Sequence, residues 1–379
     1  MLNKIGVVSI LFLLWGGGPA TAQTYDQLRK WCYGDATDDQ TIQGCDAVIK
    51  SGRETPQAQT DAFFNRGIAY DNKGQYDRAI QDFDQAIKRN PSFAKAFNNR
   101  GFAYSNKGQY DRAIQDFDQA IKLDRSFANA FHGRGFAYSN KGQYDHAIQD
   151  YDQAIKLDPS NTNSVYRRGM AYYNKRQYDR AIQDFDQAIG LQPSHANAFQ
   201  GRGMAYMSKS QLDRAIQDFD QAIMLNPSQL WAFYMRGVAH DLKGQYDRAI
   251  QDFDQAIKHN PSHASAFQSR CRARAMIDQL QAALADCNTS LRLSPNDPNM
   301  LDSRGFIYLK LGLFDTAIAD YDAALGIDPK EPRSLSLFGR GVALRKKGDL
   351  AGGDADIAAA KVIQSDIAEE FTKLGLKDF

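Results

Sequence analysis

Lys73–Lys88 reads KGQYDRAIQDFDQAIK, and the same letters return at 107–122 and again at 243–258. Near-copies occupy 141–156 (KGQYDHAIQDYDQAIK), 175–190 and 209–224, at a constant 34-residue spacing. A fixed period of this length denotes a stack of one supersecondary unit, each copy burying its apolar face on the next. In the unit Ala94–Phe127, Phe97, Gly101 and Tyr104 share one helical stripe, and Ile114, Phe117, Ala120 and Ile121 form a second. Between them lies Asn106-Lys107-Gly108-Gln109, where Gly108 can take the positive φ that ends a helix. Asp111 then favours the start of a second helix through the helix dipole. Units that close on Asn90-Pro91 or Asp158-Pro159 cannot continue it. The spacing therefore predicts two antiparallel helices per unit, each of about 12–14 residues.

The wider composition narrows the classes of function. With 46 basic and 45 acidic residues the formal charge is +1, so no global field draws the chain to nucleic acid or an anionic membrane. Residues 1–22 carry Lys4, an apolar run from Ile5 to Trp15 and then Ala20-Thr21-Ala22, the pattern of a secretory signal peptide cut after Ala22. That run is too short for the roughly 20 residues of a spanning helix. Gln23, where a lipidated chain has Cys, argues against a lipid anchor. The expectation is an exported chain, periplasmic or secreted, without membrane insertion after cleavage.

The repeat resembles the tetratricopeptide repeat (TPR) family. That family's pattern of large aromatic, Gly, Tyr, Ala, Phe, Ala and Pro stands in the first unit as Phe63, Gly67, Tyr70, Ala79, Phe83, Ala86 and Pro91. Later units begin at Ala94, Ala128, Thr162, Ala196, Leu230, Ala264, Pro298 and, after a two-residue insertion, Ser334. The resemblance implies an all-α fold, a right-handed α-solenoid of about nine helix pairs over 60–365. Residues 23–59 read as a divergent N-terminal capping pair, with Cys45 at the phase of Phe83 and Cys32 at that of Tyr70. Residues 366–379 read as a closing helix with Ile367, Phe371 and Leu374 on one side. The seventh unit departs most, with Cys271 for Gly, Arg274 for Tyr and Cys287 for Phe.

Three constellations are candidates for more than packing. The first is an arginine ladder, Arg66 and its equivalents through Arg304 and Arg340, where the family usually has Leu. An aspartate ladder from Asp82 through Asp320 and Asp356 matches it. Arg202 with Asp218, and Arg236 with Asp252, are expected to form partly buried structural pairs; a row of arginines grasping an anionic polymer would leave the aspartates unexplained. The repeated Asp-x-Asp (Asp82/Asp84) lies within an amphipathic helix and reads as a solvated or paired face, not a catalytic dyad. The second is Cys32/Cys45 and Cys271/Cys287, each pair split between the two helices of one unit. In an exported chain such pairs are usually disulfides, and neither their spacing nor any nearby His suits zinc.

The third is the groove that the resemblance places along the first helices, with Phe64, Asn98, His132, Tyr166, Tyr173, Asn197, Met207, Trp231 and Tyr234 as candidate peptide-binding residues. Such aromatic and Met-rich surfaces bind extended or apolar segments adaptably. Phe102, Phe136, Met170 and Met204 lie nearest the core and are expected to be partly buried. The clamp that some family members use for C-terminal carboxylates is not expected, because Phe64, Ile68, Asn99, Asn129 and Gly133 provide no convergent Lys/Arg set. No Gly-x-Ser-x-Gly, phosphate loop, His-Glu-x-x-His or dinucleotide fingerprint is present. The expectation is a non-enzymatic scaffold, without cofactor or metal, that binds a protein or peptide from the envelope or secreted pool. The alternatives are a glycan- or small-molecule-binding protein and a regulatory subunit of an envelope enzyme.

Overall fold

A computed structural model describes residues 23–328 and 333–376. The expected signal peptide and residues 377–379 lie outside them. The chain divides into two compact units, residues 1–158 and 159–379. Among the described residues every regular element is an α-helix, and the helices pack as consecutive antiparallel pairs: the chain is an all-α solenoid.

The N-terminal unit contains α1 (Tyr25–Tyr33) and α2 (Asp38–Ser51), then α3 (Pro56–Asn72), α4 (Tyr76–Arg89), α5 (Ala94–Asn106), α6 (Tyr110–Leu123), α7 (Ala128–Asn140) and α8 (Tyr144–Leu157). The C-terminal unit contains α9 (Thr162–Asn174), α10 (Tyr178–Leu191), α11 (Ala196–Ser208), α12 (Leu212–Leu225), α13 (Leu230–Leu242) and α14 (Tyr246–His259). It continues with α15 (Ala264–Met276), α16 (Leu280–Leu293), α17 (Pro298–Lys310), α18 (Phe314–Ile327), α19 (Ser334–Lys346), α20 (Leu350–Ile363) and α21 (Ile367–Lys373). At 17 residues α3 is longer than the repeat predicts. Thr55 accepts from Ala58 N and Pro56 takes the first helical position, so the helix starts four residues early.

The core repeats with the sequence. Ala79, Phe83 and Ala86 are fully buried, as are their equivalents Ala113, Phe117 and Ala120. A Cβ on Gly101 would come within 2.9 Å of the Phe117 ring, and one on Gly133 of the next pair within 2.4 Å. The Phe117 ring therefore fills the space between two successive first helices and is met by glycine on both, as the Phe185 ring is by Gly169 and Gly201. Within each unit the first helices touch one another (α3 with α5, α5 with α7; α9 with α11, and so on to α19), while among the described residues the second helices do not. The first helices thus line the inner, concave side of each unit.

The arginine ladder is an interlocking zipper. Arg100 donates from Nε and Nη2 to Asp116 of its own pair (2.7 and 2.6 Å), and from Nη1 to Asp84 of the preceding pair (2.5 Å). Arg202 repeats this with Asp218 (2.9 and 2.7 Å) and Asp186 (2.5 Å), and Arg236 with Asp252 (3.0 and 2.6 Å) and Asp220 (2.6 Å). The second Asp of each Asp-x-Asp is thereby accounted for. Arg66 reaches back to Asp46 on α2, which joins the α1–α2 pair to the same zipper. Six of the arginines also lie over an aromatic ring one turn earlier, as Arg202 does over Phe199 at 5.5 Å. The hydrogen bonds that Arg202 donates to Asp218 hold its pKa raised against the opposing effect of burial, and the bond to Asp186 adds to them.

Disulfides join Cys32 to Cys45 and Cys271 to Cys287. At the C-terminal end α21 buries Ile367 and Phe371. The Phe371 ring meets Phe338 of α19 at 4.7 Å and Phe306 of α17 at 5.8 Å, so this helix lies across the inner side of the last pairs.

Candidate peptide-binding surface

In the N-terminal unit the inner side is only partly open. Phe64 is half-buried, with its ring against Phe83 (5.9 Å) and Phe93 (4.7 Å). His132 is half-buried and packs on Tyr151 at 5.8 Å. Asn98 corrects the sequence expectation. It is 4% exposed, its amide donates to Asn99 Oδ1 (3.0 Å), and its own Oδ1 has no partner. The physical reason is that its phase, which carries longer side chains in most other repeats, sits deep between neighbouring first helices, where a short side chain is covered.

The C-terminal unit offers more. Trp231, near the start of α13, is 50% exposed. Its ring makes edge contacts with Tyr234 (5.9 Å) and His263 (5.3 Å), and Tyr234 lies 5.0 Å from His263. Two pairs earlier, Tyr166 rests on His195 at 5.1 Å. His195 and His263 each precede a first helix and accept the helix's free N–H, from Ala198 and Ala266, through Nδ1 at 3.0 Å. Burial lowers the His195 pKa, which keeps that nitrogen an acceptor. Burial likewise pushes the Tyr166 phenol up, so the ring stays neutral. Gln229 donates to Asn197 Oδ1 (3.0 Å) and to Gln200 Oε1, fixing the exposed Asn197 amide beside the aromatic group. Tyr173 packs on Tyr178 at 5.6 Å, while Met207 is turned toward the core around Phe219.

The structure therefore brings Trp231 and Tyr234 together with His263, places Asn197 under Gln229 and Gln200, and leaves Tyr173 and Met207 apart from them. His195, His263, Gln200 and Gln229 escaped the sequence reading. Their signal was legible: both histidines fall at the repeat position held elsewhere by Phe93 and Phe127. Among the described residues no group of three His, Cys, Asp or Glu is placed to hold a metal ion, and no helix is long and apolar enough to cross a membrane. The surface can stack on apolar or planar groups and hydrogen-bond an extended backbone through amides.

Stacked helix pairs with a varied inner face and a second helix that is nearly constant from α4 to α14 define the chain as a helical-repeat interaction scaffold. Tetratricopeptide repeat models match residues 60–93, 94–127, 128–161 and 230–263, a second covers 166–230, and a third covers 299–331. The chain belongs to the tetratricopeptide repeat family, whose members bind proteins or peptides and are typically not enzymes. No curated protein matches it. Among solved structures it is similar to YrrB, described as a TPR protein with an unusual peptide-binding site (28% identity, 48% of this chain, 95% of that one, TM-score 0.41). It is also similar to PilF of Pseudomonas aeruginosa (19%, 55% and 94%, TM-score 0.50). A third is the C-terminal part of a TPR protein of Cytophaga hutchinsonii (20%, 63% and 98%, TM-score 0.50). The last two share the fold alone.

Proposed function

We propose that this chain is an exported, non-enzymatic scaffold that holds a peptide segment of an envelope or secreted partner against the first helices of residues 159–379. One observation carries the reading: Trp231 stands half-exposed in a preformed aromatic group with Tyr234 and His263. A large ring held this way costs little ordering entropy on binding and supplies much of the contact energy, as aromatic anchors do at interfaces. Asn197, locked by Gln229, is set to bond the backbone of a segment that passes the aromatics. Export is supported by the two disulfides and by the N-terminal signal pattern.

The test is affinity capture from envelope extracts with the wild type and with Trp231→Ala/Tyr234→Ala. Loss of specific protein bands in the variant, and their recovery as peptides that bind the wild type in solution, is the expected result. Identical capture by both would sink the assignment of this surface.

A further inference from the structure

The seventh helix pair breaks the packing rule of the others. Where Phe83, Phe117, Phe185, Phe219 and Phe253 fill the gap between successive first helices, this pair has Cys287, bonded to Cys271 in place of the usual glycine. A disulfide is smaller than a phenyl ring, and space remains. A cavity of about 490 Å³ lies there, between α15, α17 and α19, with α21 forming its outer wall. That is within the range of sites for small organic ligands, roughly 300–1,000 Å³. Its apolar lining includes Phe306, Ile307, Phe371 and Leu374.

Two polar groups at its base are incompletely satisfied. Tyr321 is 1% exposed, and its hydroxyl has no hydrogen-bond partner. The equivalent hydroxyl in the third pair, Tyr151, has Ser139 Oγ at 3.4 Å; in the eighth pair the residue at the serine's position is Leu309. A buried hydroxyl without a partner leaves the cost of its desolvation uncompensated. Nearby, Asp302 is 7% exposed at a position where other repeats carry Phe, Tyr, His, Gln or, in one repeat, Asn98. Its Oδ2 accepts from Arg333 Nε (3.1 Å) and Nη2 (2.9 Å), and its Oδ1 accepts from Ser336 Oγ, which leaves Oδ1 one free lone pair. Its charge is already neutralised by Arg333, so the cavity does not call for a cation. Burial pushes the Tyr321 phenol well up, and the neighbouring Asp302 charge pushes it further, so it remains a donor.

We infer that this cavity is a binding site for a phenolic ligand: a neutral aromatic ring whose single hydroxyl accepts from Tyr321 and donates to Asp302 Oδ1. The ring packs against the Phe306 and Phe371 side chains that line the cavity, so occupancy ties α21 to the body of the unit. The site is separate from the Trp231 surface and does not depend on it.

The test uses the full mature chain and p-cresol, with toluene as the isostere that lacks the hydroxyl and methyl glucoside as a polyhydroxyl control. Binding is followed by calorimetry and by hydrogen exchange of the α21 amides. p-Cresol is expected to bind at least about tenfold more tightly than toluene, since a site built to bond a hydroxyl rejects the analogue without it, and to slow exchange in α21. Tyr321→Phe restores the residue of the other repeats and removes an unpartnered hydroxyl, so its melting temperature should equal or exceed the wild type while the p-cresol advantage disappears. Ala275→Leu, which fills the cavity, should abolish binding of both aromatics. N-acetyl-tyrosinamide identifies the source: tighter binding than p-cresol assigns the site to a peptide tyrosine, weaker binding to a free phenol. No binding of p-cresol, equal affinity for toluene, an unchanged preference in Tyr321→Phe, or a preference for the glucoside would each overturn the inference.

Discussion

Most arginines of the ladder are shared by two carboxylates, one from their own helix pair and one from the pair before; at Arg304 the earlier partner is the amide oxygen of Asn288. Asp218 is nearly buried, and its partner Arg202 is largely covered. Removing one partner strands the other in low dielectric, which costs more than the pair itself contributes. Asp218→Asn and Arg202→Met are each expected to lose about 3 kcal/mol, against well under 1 kcal/mol for an exposed pair. The double variant should lose less than the sum of the two. Chemical and thermal unfolding measure this, and wild-type midpoints for both single variants would discard the ladder as a stabilising device. The fork was legible in the sequence because Arg and Asp recur at fixed phases that antiparallel helices bring level. The third contact, from Arg100 Nη1 to Asp84, was not: it depends on how far one pair rotates against the next, which spacing within a unit does not encode.

At the scale of the helix pair, the turn decides how cleanly each first helix ends. Gly74, Gly108 and Gly142 hold φ of 68–73° there, but the same position carries Arg176 (59°) and Ser210 (59°) in the C-terminal unit. A side chain in the left-handed region costs roughly 1 kcal/mol relative to glycine. Arg176→Gly and Ser210→Gly are therefore expected to stabilise the protein by about 0.5–1 kcal/mol each, after the greater chain entropy of glycine is allowed for. A lowered melting temperature in both would show that the side chains contribute contacts that outweigh the strain. Helix boundaries, turns and core stripes could be read from the letters because every repeat states them again. The inner face could not be read so far. Trp231 and Tyr234 were visible as aromatics at inner phases, but their partner His263 belongs to the following pair. Asn98 was taken for a groove residue because phase gives direction without depth, and its short side chain is covered by its neighbours.

For the chain as a whole, alkaline pH is the condition that tests burial most directly. Burial pushes the Tyr33 phenol up to about 12, with Glu54 adding to it, and burial also raises Tyr166 and Tyr321. A phenol whose folded pKa exceeds the unfolded value near 10 stabilises the fold fully below that pH, and the stabilisation is lost as pH rises through the folded value. The urea midpoint should fall between about pH 10 and about pH 12, and Tyr33→Phe should flatten part of that fall. If all 18 tyrosines ionised together at the ordinary phenol value, with no loss of stability, the buried assignments would fail.

The zipper has a consequence for heredity. Arg100 holds Asp84 and Asp116, and Arg134 holds Asp118 and Asp150, in the same geometry and at the same spacing. Excision of residues 94–127 would bring Arg134 to Asp84 across a junction indistinguishable from the one removed. Recombination between the near-identical coding segments can therefore lengthen or shorten the scaffold one whole unit at a time without creating a mismatched joint. The number of inner faces can drift in a lineage while the framework that presents them stays sound.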